Sequence, residues 1–233
     1  MIKEAIILAG GLGTRLRSVV SELPKCMAPV AGKPFLHYVI EHLQRQGITK
    51  FILSIGYKSE SIIEYINAQY SMLDVQFSIE DDPLGTGGAI KSACAKTSEK
   101  NVLILNGDTF FKIDTDVLST LHEQWEADCT LCLKPMENFD RYGVVELDDD
   151  NAVLSFKEKQ FYKTGLINGG VYALKVSSFL NEDLPEVFSF EKDYLEKFYT
   201  KRKIAGIVQD EYFIDIGIPE DYKRAQQELA FEN

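Results

Sequence analysis

Apolar residues come in short runs separated by amphipathic stretches, and the two patterns alternate along the first half of the chain. Residues 2–8, carrying Ala5-Ile6-Ile7-Leu8, are apolar on successive positions, as a strand buried on both faces requires. Pro34 opens a helix where a missing N–H costs little; Phe35, Leu36, Val39, Ile40 and Leu43 form its stripe, and Gly47 closes it. Residues 51–55 and 75–79 are further buried runs, separated by a helical pattern with Ile62, Ile63 and Ile66. A small-residue helix at 86–96, a strand at 102–105, a helix at 114–127 and a strand at 128–134 continue the rhythm. This alternation predicts a Rossmann-like, doubly wound α/β fold with a mostly parallel sheet and helices on both faces.

From Val144 the rhythm changes. Residues 144–147 and 152–156 flank Asp148-Asp149-Asp150-Asn151, a hairpin signal. Strands follow at 167–174, 203–208 and 212–214, with helices at 190–200 and 219–230. This half, residues 136–233, is expected to add mixed or antiparallel strands to the sheet begun by 1–135. Residues 1–233 therefore read as a single domain.

At 233 residues the chain can bury roughly 70–75% of its unfolded surface, enough for one large core. No apolar run reaches the roughly 18 residues of a membrane span, and the Met-Ile-Lys-Glu start lacks a secretory pattern. A cytoplasmic protein is expected. The net charge of −11 argues against a nucleic-acid partner but leaves room for a locally positive cleft. Cys129-Thr130-Leu131-Cys132 lies on an expected strand, where residues three apart face opposite ways, so the pair reads as core packing. Cys26 stands next to Lys25. A nearby cation would lower its pKa, although a small filler is the expected role.

Candidate chemistry begins where the first strand ends, at Ala9-Gly10-Gly11-Leu12-Gly13-Thr14-Arg15-Leu16. A glycine turn there lets backbone N–H groups wrap an anion, and Arg15 adds a planar fork of donors. Lys25, stiffened between Pro24 and Pro29, supplies a second cation. Leu16 occupies the place of the third glycine of a dinucleotide fingerprint, and no Lys-Ser or Lys-Thr completes a Walker loop. The expected ligand is a triphosphate. Asp108, after Leu103-Ile104-Leu105, and Asp215, after Tyr212-Phe213-Ile214, are expected at strand carboxyl ends, where two hard carboxylates suit Mg²⁺. His37, His42 and His122 cluster with no nucleophile. A phosphate monoester is already anionic near neutral pH, so transfer of a nucleotidyl group onto it needs no general base.

Five ordered stretches together resemble the sugar-1-phosphate nucleotidyltransferases. They are Gly10 to Leu16, Pro24 to Pro34, Leu84-Gly85-Thr86-Gly87-Gly88-Ala89, Leu105-Asn106-Gly107-Asp108 and Phe213-Ile214-Asp215-Ile216-Gly217. The resemblance covers the whole chain and implies a nucleotide-diphospho-sugar transferase fold. It implies a nucleotide-binding half (1–135) and a sugar-binding half (136–233). Phe139-Asp140-Arg141-Tyr142-Gly143, Phe156-Lys157-Glu158-Lys159 and Gly165 to Tyr172 are most similar to members that use GTP and a heptose 1-phosphate. The resemblance implies that Leu8, Gly10, Gly11, Gly13, Thr14, Glu80, Gly85 and Thr86 hold the nucleotide. Arg15, Lys25 and Asp108 would be catalytic, and Asp108 and Asp215 would hold Mg²⁺. Asn106, Gly143, Glu158, Lys159, Asn168 and Gly169 would bind the sugar phosphate. A uridylyl- or cytidylyltransferase acting on a hexose or N-acetylmuramate phosphate is the neighbouring reading. A non-catalytic, nucleotide-sensing regulatory subunit is a further one. An oligomer is compatible with all of them. Cys26 departs from the family, which usually has proline there, and this removes a restriction on Lys25.

Overall fold

The computed structural model of the protein describes residues 1–11 and 23–231. The first buried run is β1 (Glu4–Leu8), two residues shorter at its start than the pattern predicts. Beyond the glycine turn, a 3-10 turn at Lys25–Met27 leads into a small hairpin of β2 (Pro29–Val30) and β3 (Lys33–Pro34). Then follow α1 (Phe35–Arg45), β4 (Lys50–Ile55), α2 (Ser59–Gln69), β5 (Asp74–Ile79), α3 (Gly85–Cys94) and β6 (Asn101–Asn106). A short β7 (Thr109–Phe111) precedes α4 (Thr115–Gln124), whose Asp114 cap accepts the Val117 N–H at 2.9 Å.

The second half contributes β8 (Cys129–Phe139), β9 (Val144–Leu147), β10 (Val153–Lys157) and β11 (Tyr162–Lys175), then the short helix α5 (Val176–Leu180). The helix expected at 190–200 is a π-helical turn, Phe190–Leu195, running into α6 (Glu196–Phe198). The chain closes with β12 (Ile204–Val208), β13 (Phe213–Asp215) and α7 (Pro219–Glu228), which begins on its proline.

Nine of the strands form one mixed sheet. Its parallel core places β1 between β4 and β6, with β5 beyond β4. β11 then runs antiparallel to β6 and to β8, touches β9 at Ile167, and β12 adds parallel to β8. Register puts Ile6 level with Ile52 and Ile104, and Ile7 level with Leu53 and Leu105. Alternation then sends the two sets to opposite faces. Ile7, Leu53 and Leu105 pack with Leu36, Ile40, Ile62 and Leu118 of α1, α2 and α4. Ile6, Ile52 and Ile104 pack with Ile90 and Ala93 of α3, Phe179 of α5 and the aromatic pair Phe190 and Tyr194. The expected doubly wound layering is present. Cys129 joins the second cluster and Cys132 the first, opposite faces as their spacing requires.

Candidate active site

Parallel packing brings the loops after β1, β4 and β6 to one edge of the sheet, and the polar residues collect there. Asp108 lies in the turn after β6, fixed because Gly107 N–H donates to the Leu8 carbonyl at 2.9 Å. Asp215 arrives differently from the expectation. Its strand, β13, is not in the large sheet but pairs antiparallel with β7, and the register sets Asp215 opposite Thr109. That ribbon carries Asp215 beside Asp108, and Asp108 O accepts the Ile216 N–H at 3.1 Å.

Lys25 meets both carboxylates. Its Nζ lies 2.5 Å from Asp108 Oδ2 and 3.4 Å from Asp215 Oδ1, with the lysine side chain only 11% exposed. Asp215 Oδ1 also accepts the Gly217 N–H at 2.7 Å. Two carboxylates within reach of one ammonium, still part-exposed, form a hard-oxygen pair that leaves room for phosphate and water ligands, the set Mg²⁺ favours. Among the described residues no group of three or more His, Cys, Asp or Glu is gathered as a metal site. Any divalent ion here must therefore take most of its ligands from elsewhere.

A cavity of about 630 Å³ opens beside this cluster, lined by Leu8, Gly10, Gly11, Glu80, Gly85 and Thr86. All six were expected on the nucleotide. Gly13, Thr14 and Arg15 lie outside the described residues. Glu80 is held by the Ser54 hydroxyl at 2.8 Å and the Leu84 N–H at 3.1 Å, which fixes the loop in front of α3. Thr86 turns its hydroxyl away from the cavity, to Glu191 Oε2 at 2.8 Å. Gly56, Tyr57, Asp81, Pro83 and Ala89 complete the wall. Gly56 and Tyr57 follow the end of β4, so the strand-end rule would have found them.

A second cavity, about 530 Å³, is lined by Gly143, Glu158, Lys159 and Asn168 together with Ser189, Glu191, Lys192 and Glu196. The first four were expected on the sugar. The last four come from the π-helical region and carry no local sequence signal. Asn106 and Gly169, also expected on the sugar, do not line this cavity. Asn106 lies under the Gly170 backbone, and Gly169 leaves space for the Phe111 ring. Gly170 adopts φ +70° in a bulge of β11 that the Asn168 side chain holds, accepting the Gly170 N–H at 3.0 Å.

Three further expectations resolve here. Cys26 is buried, its Sγ 3.7 Å from the Ala9 carbonyl, and burial with Asp108 nearby pushes its thiol up to about 12. The adjacent lysine does not activate it; filler is its role. His42 and His122 are buried in the core, bonded to Ile113 O and Thr130 Oγ1 at 2.9 Å each, and His37 Nδ1 meets Tyr70 OH at 2.6 Å. Among the described residues no helix is long and apolar enough to cross a membrane.

A lysine between two aspartates and two cavities at one edge of the sheet suit a site for nucleotidyl transfer. Residues 4–232 match the model of the nucleotidyl transferase family, and the chain belongs to that family. It is a sugar-1-phosphate nucleotidyltransferase. It is 55% identical to a D-glycero-α-D-manno-heptose 1-phosphate guanylyltransferase of Aneurinibacillus thermoaerophilus, over 97% of this chain and 98% of that protein. An enzyme of the same name from Campylobacter jejuni is 48% identical, over 94% and 96%. The crystal structure of HddC from Yersinia pseudotuberculosis complexed with GMP-PN superposes with a TM-score of 0.87 at 39% identity, covering 98% of this chain and 100% of that one.

Proposed function

We propose that the chain transfers the guanylyl group of GTP to D-glycero-α-D-manno-heptose 1-phosphate, releasing diphosphate and forming GDP-heptose. The observation that carries this reading is Lys25 set between Asp108 and Asp215, with Asp108 in the turn that Gly107 ties to Leu8 of the nucleotide cavity. The high identity to two heptose 1-phosphate guanylyltransferases over nearly full length supports the substrate pair. A regulatory subunit would have no need of that intact triad.

In this reading GTP occupies the cavity of Leu8, Gly10, Gly11, Glu80, Gly85 and Thr86, and the sugar phosphate the cavity of Gly143, Glu158, Lys159 and Asn168. The attacking phosphate oxygen is anionic at neutral pH, so the barrier is repulsion between two anions rather than a proton transfer. Lys25 answers it. Its ammonium is held in position by the two carboxylates, so it meets the charge of the phosphate oxygens with little reorganisation. Lys159 holds the sugar phosphate, and Glu158 accepts hydrogen bonds from sugar hydroxyls at charge-assisted strength. Asp108 and Asp215 would hold Mg²⁺, which offsets charge on the transferred and leaving phosphates. Arg15, outside the described residues, is proposed on the triphosphate. Biosynthetic work of this kind belongs in the cytoplasm, where GTP is made.

A diphosphate-release screen of four nucleoside triphosphates against a panel of sugar 1-phosphates tests the reading. Turnover is expected with GTP and the heptose phosphate. Product formed only with UTP or CTP and a hexose phosphate would overturn the substrate pair.

A further inference from the structure

The segment that walls the sugar-side cavity is fastened to the helix that lines the nucleotide-side cavity by backbone bonds of Phe188 and by the carboxylate of Glu191. Phe188 donates its N–H to the Leu84 carbonyl at 3.1 Å and accepts that of Gly87 at 2.9 Å. The approach is close because α3 begins on glycines: a Cβ on Gly85 would stand 2.5 Å from Phe188 O, and one on Gly87 would enter the Phe188 ring. Two residues later the backbone winds into the π-helical turn Phe190–Leu195, a rare form that recurs at functional sites.

At that turn, Glu191 Oε2 accepts from the Thr86 hydroxyl at 2.8 Å and from the Ser189 hydroxyl at 3.1 Å. Thr86 Oγ1 in turn accepts the Phe190 N–H at 2.8 Å. Asn168 Nδ2–H donates to the hydroxyl of buried Tyr172 at 2.9 Å, and burial, then the Glu191 charge, raise the Tyr172 pKa. A polar path from Thr86 to Glu191 thus joins a residue lining one cavity directly to a residue lining the other, where Asn168 also stands. Hydrogen bonds accepted by a carboxylate are roughly twice as strong as neutral ones, which holds these side chains together.

We propose that Glu191 is a positioning residue that couples the two substrate cavities: nucleotide settling against Gly85 and Thr86 orders this path and raises the protein's affinity for the sugar 1-phosphate. The inference rests on the two-cavity reading above. By linkage the sugar phosphate must raise nucleotide affinity by the same factor. A side chain already held in place loses less entropy when the second ligand binds.

The test measures heptose 1-phosphate binding by calorimetry, with and without saturating α,β-methylene GTP, which resists cleavage at the α-phosphorus, in buffer containing Mg²⁺. The wild-type protein is expected to bind the sugar phosphate at least about fivefold more tightly when the analogue is bound. In Glu191→Gln and Thr86→Ala that factor should fall to near one, and in Glu191→Gln, which leaves the nucleotide wall intact, affinity for the analogue alone should change less than about threefold. The double variant should be no worse than either single one, and Thr86→Ser should restore the coupling. Should Glu191→Gln fail to fold, the Thr86→Ala and Thr86→Ser pair carries the same comparison. Coupling that survives in Glu191→Gln overturns the proposal, as does sugar binding weakened equally with and without the analogue. Failure of the wild-type protein to bind either ligand would instead count against the substrate assignment.

Discussion

At the scale of single residues, the site depends on one ammonium. Lys25 is mostly enclosed, touches two carboxylates, and is presented by a 3-10 turn between prolines. Removing one charged group aimed at developing charge typically costs about 100- to 1,000-fold in kcat. Lys25→Ala and Asp108→Asn are each expected to lose turnover on that order in a diphosphate-release assay, with far-ultraviolet dichroism unchanged. The cysteines give a contrasting prediction. All four are buried, and burial raises every one of their thiol pKa values. They stay protonated at pH 8, so mass spectrometry after iodoacetamide should find the native protein unmodified and the denatured protein alkylated four times. Cys26 is the small filler it was expected to be: Lys25 points its charge at the aspartates, leaving the thiol to the core and to Asp108.

At the scale of elements, the glycine-rich start of α3 is a packing surface as much as a ligand wall. A Cβ on Gly88 would collide with the Glu186 carbonyl and crowd Leu84. Gly88→Ala should therefore lower Tm in a thermal melt, by the several degrees that about 1–3 kcal/mol of overpacking produces. β1, β4 and β6 were legible because each is buried on both faces, and α1 because it shows one apolar stripe; β5, beyond β4 at the sheet edge, is half-exposed. Other elements left no such trace. β7 is three residues long, and β2 and β3 are two residues each; β13 was expected as a strand at 212–214, but its pairing with β7, about a hundred positions away, was not. Glu191 and Thr86 meet only because the tertiary fold overrides a separation of 105 residues. The expected helix at 190–200 kept its apolar spacing, but docking on α3 imposes a wider winding.

At the scale of the whole molecule, acid stability reports on the core. His122 is buried with its Nδ1 on Thr130, and desolvation pushes its pKa down to about 4. The unfolded chain takes up that proton near the ordinary histidine value of 6.5, whereas the folded protein does not. Stability is thus full above about pH 6.5 and declines towards pH 4, by up to about 1.4 kcal/mol per pH unit from this group. Urea melts across that range should show the decline, and His122→Gln should flatten it; equal slopes in both proteins would exclude His122 as the source. The fold class, the family and the residues of both cavities were largely readable in order along the chain. The way the cavities are joined was not, since no local pattern records it.

β11 has a consequence for how such a chain is made. The open edge of β6 waits for Val171–Lys175, and β8 finds both its neighbours, β11 and β12, still later in the sequence. A ribosome that has delivered only the first 135 residues has released a bare ladder of backbone donors and acceptors, an invitation to self-association. Expressed alone, that fragment should elute as aggregates from a sizing column, so the portion that would cradle the nucleotide cannot be harvested as an independent module.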